Sequence, residues 1–345
     1  MISETPGRAP ARSTMEDVAM LAGVSLKSVS RVINAEPHVS AKLQAKVQAA
    51  IAELHYVPDM AARSLAGSRT FIIGLMFDNP SPNYTMNIQK GAYDACRESR
   101  YHLRIDNLDS SAPPEQFETQ VAAILRNSRC DGFVLTPPLS DNLQLLDFLD
   151  RSDLRYVRIA PDIAPDRAPG VCIDDAAGAA TLARHLWDLG HRRYAIVNGP
   201  SSHGAAQRRR QGFIDALRQL GLREPIAEAN GRFSFEQGIQ AGRDVLARGS
   251  RPTAIFATND DSAAGVMVAC SQSGLSVPGD VSVCGFDDSW VAKSVWPYLT
   301  TVYQPIEEMG RAAALLLLRR DEPENVLHQL DFQLVVRDST APPPA

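Results

Sequence analysis

Two sets of residues in this chain could do chemistry. The first is the stretch VSLKSVSRVIN, Val24–Asn34. Read as a helix, it places Val29, Val32 and Ile33 on an inner face. Ser25, Ser28, Ser30, Lys27 and Arg31 fall on the outer faces, with no acid among them. Short hydroxyls let a backbone approach a large partner closely, and long cations reach phosphate or guanine edges. The second set lies at the ends of apolar runs further along. Asp78, Asn79 and Tyr84 follow FIIGLMF, and Asn259 and Asp260 follow AIFAT. Asp287 and Asp288 follow VSVCGF, and Gln304 follows TTVY. Arg158 sits inside YVRIA, a costly place for a charge unless it meets a ligand or an anion. Carboxylates, amides and arginine around an aromatic face make a pocket for a polyol, because paired hydroxyls take bidentate hydrogen bonds while a ring face stacks.

The elements that must hold these residues differ between the two parts of the chain. From Thr14 to about Leu65 only helix patterns occur. Thr14 can cap MEDVAMLA, with Glu16 and Asp17 in its first turn, and Gly23 stops it. Ser25 caps the next helix, and Ser40 starts AKLQAKVQAAIAEL with apolar Leu43, Val47, Ala50, Ile51 and Leu54. A short piece, PDMAARSLAG, follows. From Phe71 strands alternate with amphipathic helices: FIIGLMF, HLRIDN, GFVLT, YVRIA, GVCID, YAIVNG, AIFAT and VSVCGF. Such a rhythm predicts parallel sheets covered on both faces. About eight units suit either two doubly wound subdomains or a TIM barrel. The extra strand signals LTTVYQP and DFQLVV favour two subdomains.

The bulk properties are those of a soluble globular protein. The chain has 345 residues, 44% hydrophobic and 22% charged, enough for two or three cores. The net charge of −5 is unevenly spread. Residues 1–69 hold 8 basic and 6 acidic residues, leaving 27 and 34 for the rest. A mildly basic head on an acidic body suits a polyanion partner, weakly. The longest apolar run, AAALLLL from Ala312, is far too short for a membrane span, so no membrane partner is expected. The start, MISETPGRAPARS, has no export core, which predicts a cytoplasmic protein. Five scattered cysteines predict free thiols and no metal site. No cofactor is expected: GxGxxG after a strand, GxxxxGK[ST], GxSxG and HExxH are all missing. His203 with Asp287-Asp288 lacks a nucleophile, so no enzyme is expected.

Two helices joined by the tight turn AGVS describe a helix-turn-helix, whose second helix enters the major groove. The ordered residues DVA-LAGVS--SVSRV-N----VS, then LHYVP, then A-SLAG, strongly resemble the head of the lactose-repressor (LacI/GalR) family of transcription factors. The resemblance runs on to about Val336. It implies an all-α helix-turn-helix head on an α/β, periplasmic-binding-protein-like body of two doubly wound parallel-sheet subdomains. By position, Leu26, Lys27 and Arg31 would read bases, while Thr14, Ser30, Asn34, His38 and Ser40 would touch or position phosphate. Asp59–Leu65 matches the family's hinge helix, with Ala62 and Leu65 entering the minor groove and Leu65 wedged at the central step. Asp59 replaces a frequent Asn and is read as a cap. Arg209 stands where the family holds a ligand-contacting Arg, and Phe233 where it stacks an aromatic.

The effector set is then Asp78, Asn79, Tyr84, Arg158, Arg209, Phe233, Asn259, Asp287 and Gln304. Ala160 falls where sugar-binding relatives place an acid, so Arg158 could take over that role and admit a uronic acid or sugar phosphate. The expected domains are a disordered 1–13, a DNA-binding head 14–57, a hinge 58–69, a body 70–338 and a disordered tail 339–345. Within the body, about 70–171 plus 304–330 would form one subdomain, and about 172–303 plus 331–338 the other. The expected function is a repressor of a carbohydrate operon on a pseudo-palindromic double-stranded operator, released by a sugar-type effector. Two half-sites imply a homodimer, and no heptad segment that would tether a tetramer follows the body. A periplasmic-type sugar-binding protein and an α/β enzyme are the alternatives.

Overall fold

The structure is a computed structural model. It describes residues 13–33, 38–56, 69–127, 129–319 and 326–344. The chain divides into two compact units, one up to Thr70 and one from Phe71.

The first unit packs three helices, α1 (Met15–Ala22), α2 (Leu26–Ile33) and α3 (Ala41–Glu53). Thr14 and Asp17 form a capping box at the start of α1, the hydroxyl accepting from Asp17 N and the carboxylate from Thr14 N at 2.7 Å. The first turn keeps its orphan N–H groups satisfied in this way. Gly23 ends the helix in the left-handed region, φ 63°, where a Cβ would be strained. Val18, Val29 and Val47, one from each helix, are fully buried and define the small core with Ile33, Ala50 and Tyr56.

The second unit holds two parallel sheets. β1 (Ile72–Phe77), β2 (His102–Asn107), β3 (Phe133–Leu135), β4 (Tyr156–Ile159), β5 (Gly170–Ile173) and β11 (Leu327–Leu330) form the first, in the order β11-β5-β4-β3-β1-β2. β6 (Tyr194–Asn198), β7 (Ala227–Asn230), β8 (Ala254–Ala257) and β9 (Ser282–Cys284) form the second, in the order β7-β6-β8-β9. β10 (Thr301–Tyr303) and β12 (Gln333–Val335) pair antiparallel. These open sheets exclude the barrel.

Strand residues alternate between two cores, as a sheet covered on both faces requires. Ile73, Leu75, Val134 and Val157 face one apolar cluster; Met76, Phe133, Leu135 and Tyr156 face the other. Helices α4 (Pro82–Glu98) and α11 (Ile306–Leu318) pack together over the first face, while α5 (Pro114–Asn127) and α6 (Leu143–Arg151) cover the second. Their close approach requires glycine: a Cβ on Gly91 would collide with Glu307 O, and one on Gly310 with Ile88 O. In the second sheet Ile196 and Phe256 face α7 (Asp175–Asp188) and α8 (Gly204–Gln219). Val197 and Ile255 face α9 (Phe235–Leu246) and α10 (Asp260–Gln272).

Three expectations are corrected. The first sheet runs through Ile173, two residues past the expected boundary at about 171. The tail is ordered over Ser339–Pro344. Ser339 is fully buried, its hydroxyl donating to Val283 O at 2.6 Å and accepting from Thr300 N at 2.8 Å. His191 Nε2 meets Ala341 O at 2.9 Å. A Pro-rich composition signals disorder only where no partner takes up the backbone polar groups. Ser13 is likewise tied, donating to Leu54 O at 2.8 Å.

Candidate functional site: a solvent-facing helix and an effector cleft

On the head, the α2 sequence LKSVSRVI has no acid. Ser25, Leu26 and Lys27 are exposed, and Ser28, Ser30 and Arg31 half-buried. Ser25 Oγ accepts from Ser28 N at 3.2 Å and shares a 2.9 Å bond with Ser28 Oγ, so both hydroxyls order the first turn. Leu26 is 46% exposed, while Val29, three residues on, is fully buried. The helix therefore has one face committed to the core and one left to solvent. Thr14, His38 and Ser40 are exposed, and Ser40 caps α3 by accepting from Leu43 N. Asn34, Ala62 and Leu65 lie outside the described residues.

In the body, a cleft of about 430 Å³ of empty space opens at the C-terminal ends of the strands, where open α/β sheets bind ligands. Asn79, Tyr84, Arg209, Phe233, Asn259, Asp287 and Gln304 all line it. Arg209 comes from α8 and is 4% exposed. Its Nε donates to Asp175 Oδ1 at 2.8 Å, and its Nη1 donates to Thr258 O at 2.8 Å and Asp287 Oδ1 at 3.2 Å. The guanidinium lies over the Phe286 ring, 3.8 Å from the centroid. Gln304 Nε2 donates to the same Asp287 oxygen at 2.6 Å. One buried cation is thus held by two buried carboxylates and an amide.

Burial sets the protonation states. It pushes the Asp287 carboxyl up to about 7, Asp261 and Asp175 acting in the same direction, against Arg209 and Gln304. Burial also takes His203 down to about 4, so its imidazole is neutral at neutral pH. That ring stands edge-on to Phe233, centroids 5.3 Å apart. Burial raises the Tyr84 phenol as well. Among the described residues, Tyr84 Oη, Arg209 Nη2 and Asp287 Oδ2 have no hydrogen-bond partner within the protein. Three lining residues hold left-handed backbone: Ala160 at φ 48°, Phe233 at 59° and Asp287 at 121°. Non-glycine residues in that region cost about 1–3 kcal/mol each and cluster where ligands are gripped.

Two expected ligand residues are displaced. Arg158 is fully buried away from the cleft, donating to Ser140 O at 2.6 Å, Ala164 O at 2.6 Å, Ile163 O at 2.5 Å and Asp141 Oδ1 at 2.9 Å. Its charge serves the loop after β4. Asp78 turns aside to Ser110, accepting from its N at 2.8 Å and its Oγ at 2.5 Å. Asp260 and Asp288 are also structural: Asp260 accepts from Ser289 N and Thr301 Oγ1, both at 2.7 Å, and Asp288 pairs with Arg337.

Sequence reasoning missed Asp175, Ser81 and His203 as lining residues. Asp175 had a usable signal, as the second acid after the strand GVCI; Asp174 caps α7 and leaves its neighbour free to turn inward.

Comparison with known proteins decides the family. The model for bacterial regulatory proteins of the lacI family matches residues 14–59, and that for the periplasmic binding protein-like domain matches 183–340. The ribose operon repressor of Escherichia coli is 35% identical over 317 residues, 89% of this chain and 93% of that protein. The chain belongs to the lacI family of bacterial regulatory proteins. Among solved structures, the lac repressor dimer bound to operator and the anti-inducer ONPF has a TM-score of 0.78 at 30% identity, covering 96% of this chain and all of that one. The transcriptional regulator CelR–cellobiose complex has a TM-score of 0.70 at 32% identity, covering 95% of this chain and all of that one. As a lacI-family member the chain is a DNA-binding transcriptional repressor under effector control. No helix among the described residues is long and apolar enough to cross a membrane.

Proposed function

We propose that this lacI-family repressor acts as a homodimer on a pseudo-palindromic operator and is released by a neutral sugar. The observation that carries the ligand class is the charge balance of the cleft. Among the described residues its lining cation is Arg209, already held by Asp175 and Asp287; Asp175 also meets Arg208 at 3.3 Å, and His203 is neutral. An anionic ligand would find no cation there that a carboxylate does not already hold; a neutral polyol can bridge the free Asp287 and Arg209 atoms and lay a ring face on Phe233. Ribose and cellobiose in the names of the relatives point the same way.

On this reading Leu26, Lys27 and Arg31 read base edges, residues 58–69 form the hinge, and Leu65 wedges the central step. Effector closes the cleft, the linked hinge melts, and operator affinity falls. The protein acts by binding and without catalysis, in the cytoplasm where the DNA lies. A gel-shift assay on the DNA upstream of its own coding region, at low ionic strength and with a panel of neutral sugars, tests this. A retarded band that one sugar removes supports it. No retardation on any fragment would refute the regulator reading, and a band that a ligand strengthens would reverse the direction of control.

A further inference from the structure

Both oxygens of Asp261 accept from residues of the opposite subdomain, and Oδ2 also accepts from Asn259 Nδ2 of its own subdomain at 3.4 Å. Ser81 Oγ donates to Oδ2 at 2.7 Å, and Asn83 Nδ2 donates to Oδ1 at 3.0 Å. Ser81 caps α4, just after β1 of the first sheet, and Asn83 lies in the first turn of that helix. Asp261 lies in the first turn of α10, just after β8 of the second sheet. One carboxylate therefore sits between two helix N-termini, one from each subdomain, and favours both. Without it the positive ends of α4 and α10 would face each other across the cleft. Ser81 lines the cleft, whereas Asn83 and Asp261 do not. The other lip carries a second bridge, Arg208 Nη1 to Asp162 at 2.5 Å.

We infer that Asp261 is a positioning residue, a clasp that holds the two subdomains closed without touching the effector and so sets the affinity of the cleft. The apparent affinity of a ligand is reduced by the fraction of protein in the competent state, so whatever fixes that fraction scales the affinity. The effector part rests on the sugar reading above; the closure part does not.

The test measures closure directly. Spin labels are placed on Glu118 of α5 and Gln240 of α9, both exposed and on different subdomains, in the full chain with Cys130→Ser, diluted into unlabelled protein. Electron–electron distance measurements without ligand are expected to give a longer or broader distribution in Asp261→Ala and in Asn83→Ala. The double variant should move no further than Asp261→Ala alone, because that change already removes both bonds, whereas Asn83→Ala leaves the Ser81 bond in place. Asp261→Asn, which keeps the side-chain volume, serves if the alanine variant does not fold. Unchanged distributions in Asp261→Ala, or a double variant that opens further than Asp261→Ala, overturn the clasp whatever the ligand proves to be. With a sugar that the gel shift identifies, titration calorimetry on the same variants is expected to show binding about tenfold weaker. Unaltered binding beside an opened distribution would overturn the link from closure to affinity. If no sugar binds, the sugar reading fails while the distance measurement still judges closure.

Discussion

Arg209 Nε lies 2.8 Å from Asp175 Oδ1, and the two side chains are 5% and 1% exposed. A buried pair of this kind is costly to break from one side. Arg209→Ala leaves Asp175 and Asp287 facing each other with no cation between. Effector affinity is expected to fall by about 2–3 kcal/mol, roughly 30- to 150-fold, from the loss of a charge-assisted donor. Operator binding, made by the other unit, should persist. Gel shifts with increasing effector check both; a normal release by effector would remove Arg209 from the pocket.

Arg158 makes a different prediction, because all its bonds are internal. Arg158→Met takes the cation from Asp141, which keeps the Asp162 and Ile163 N–H groups, and the donor from the carbonyls of Ser140, Ile163 and Ala164. The expected loss is on the order of 3–5 kcal/mol of stability in the body, seen in thermal unfolding. An unchanged melting temperature with lost effector binding would return Arg158 to the ligand.

These two arginines show where sequence reading stops. Strand and helix rhythm placed most of both sheets, because parallel strands buried on two faces are runs of apolar residues. β7, AEAN, and β11, LHQL, escaped because edge strands need no such run. An arginine in an apolar strand announces that it needs partners, but a carbonyl 18 residues away satisfies it as well as a ligand does. Asp78 and Asp287 both end strands, and only the fold shows that Ser110 takes the first while Arg209 takes the second. On the head, the acid-free face of α2 was legible because it is local.

His203 gives a pH signature. Its folded value of about 4 lies below the ordinary 6.5, so the unfolded chain binds the proton first. The stability from its neutral ring is present above about 6.5 and is lost as pH falls toward 4. Asp287, with its raised value, works in the opposite direction, so the comparison must be with His203→Phe. Between pH 7 and 5 the native chain should lose up to about 2 kcal/mol relative to that variant. Chemical unfolding at the two pH values reads the difference, and parallel curves would show the ring to be solvated.

Leu65 lies outside the described residues, and its prediction rests on the family resemblance. Leu65→Ala should abolish specific operator binding while fold and effector affinity remain. Unchanged operator affinity would dispose of the wedge.

Leu26 and Val29 share α2 but should respond in opposite ways. Leu26 is 46% exposed and Val29 fully buried. Leu26→Ala removes apolar surface that the head core does not use, so the head should unfold as before. If Leu26 packs against a thymine methyl, discrimination at that one base pair should fall by about 1–3 kcal/mol, while the salt dependence, set by phosphate contacts, stays the same. Val29→Ala instead opens a cavity among Val18, Val47 and Tyr56 and should weaken binding to every sequence through loss of folded head. Binding to a set of single-base operator variants separates the two. Uniform weakening by Leu26→Ala, with no position singled out, would show that this exposed leucine does not read the DNA.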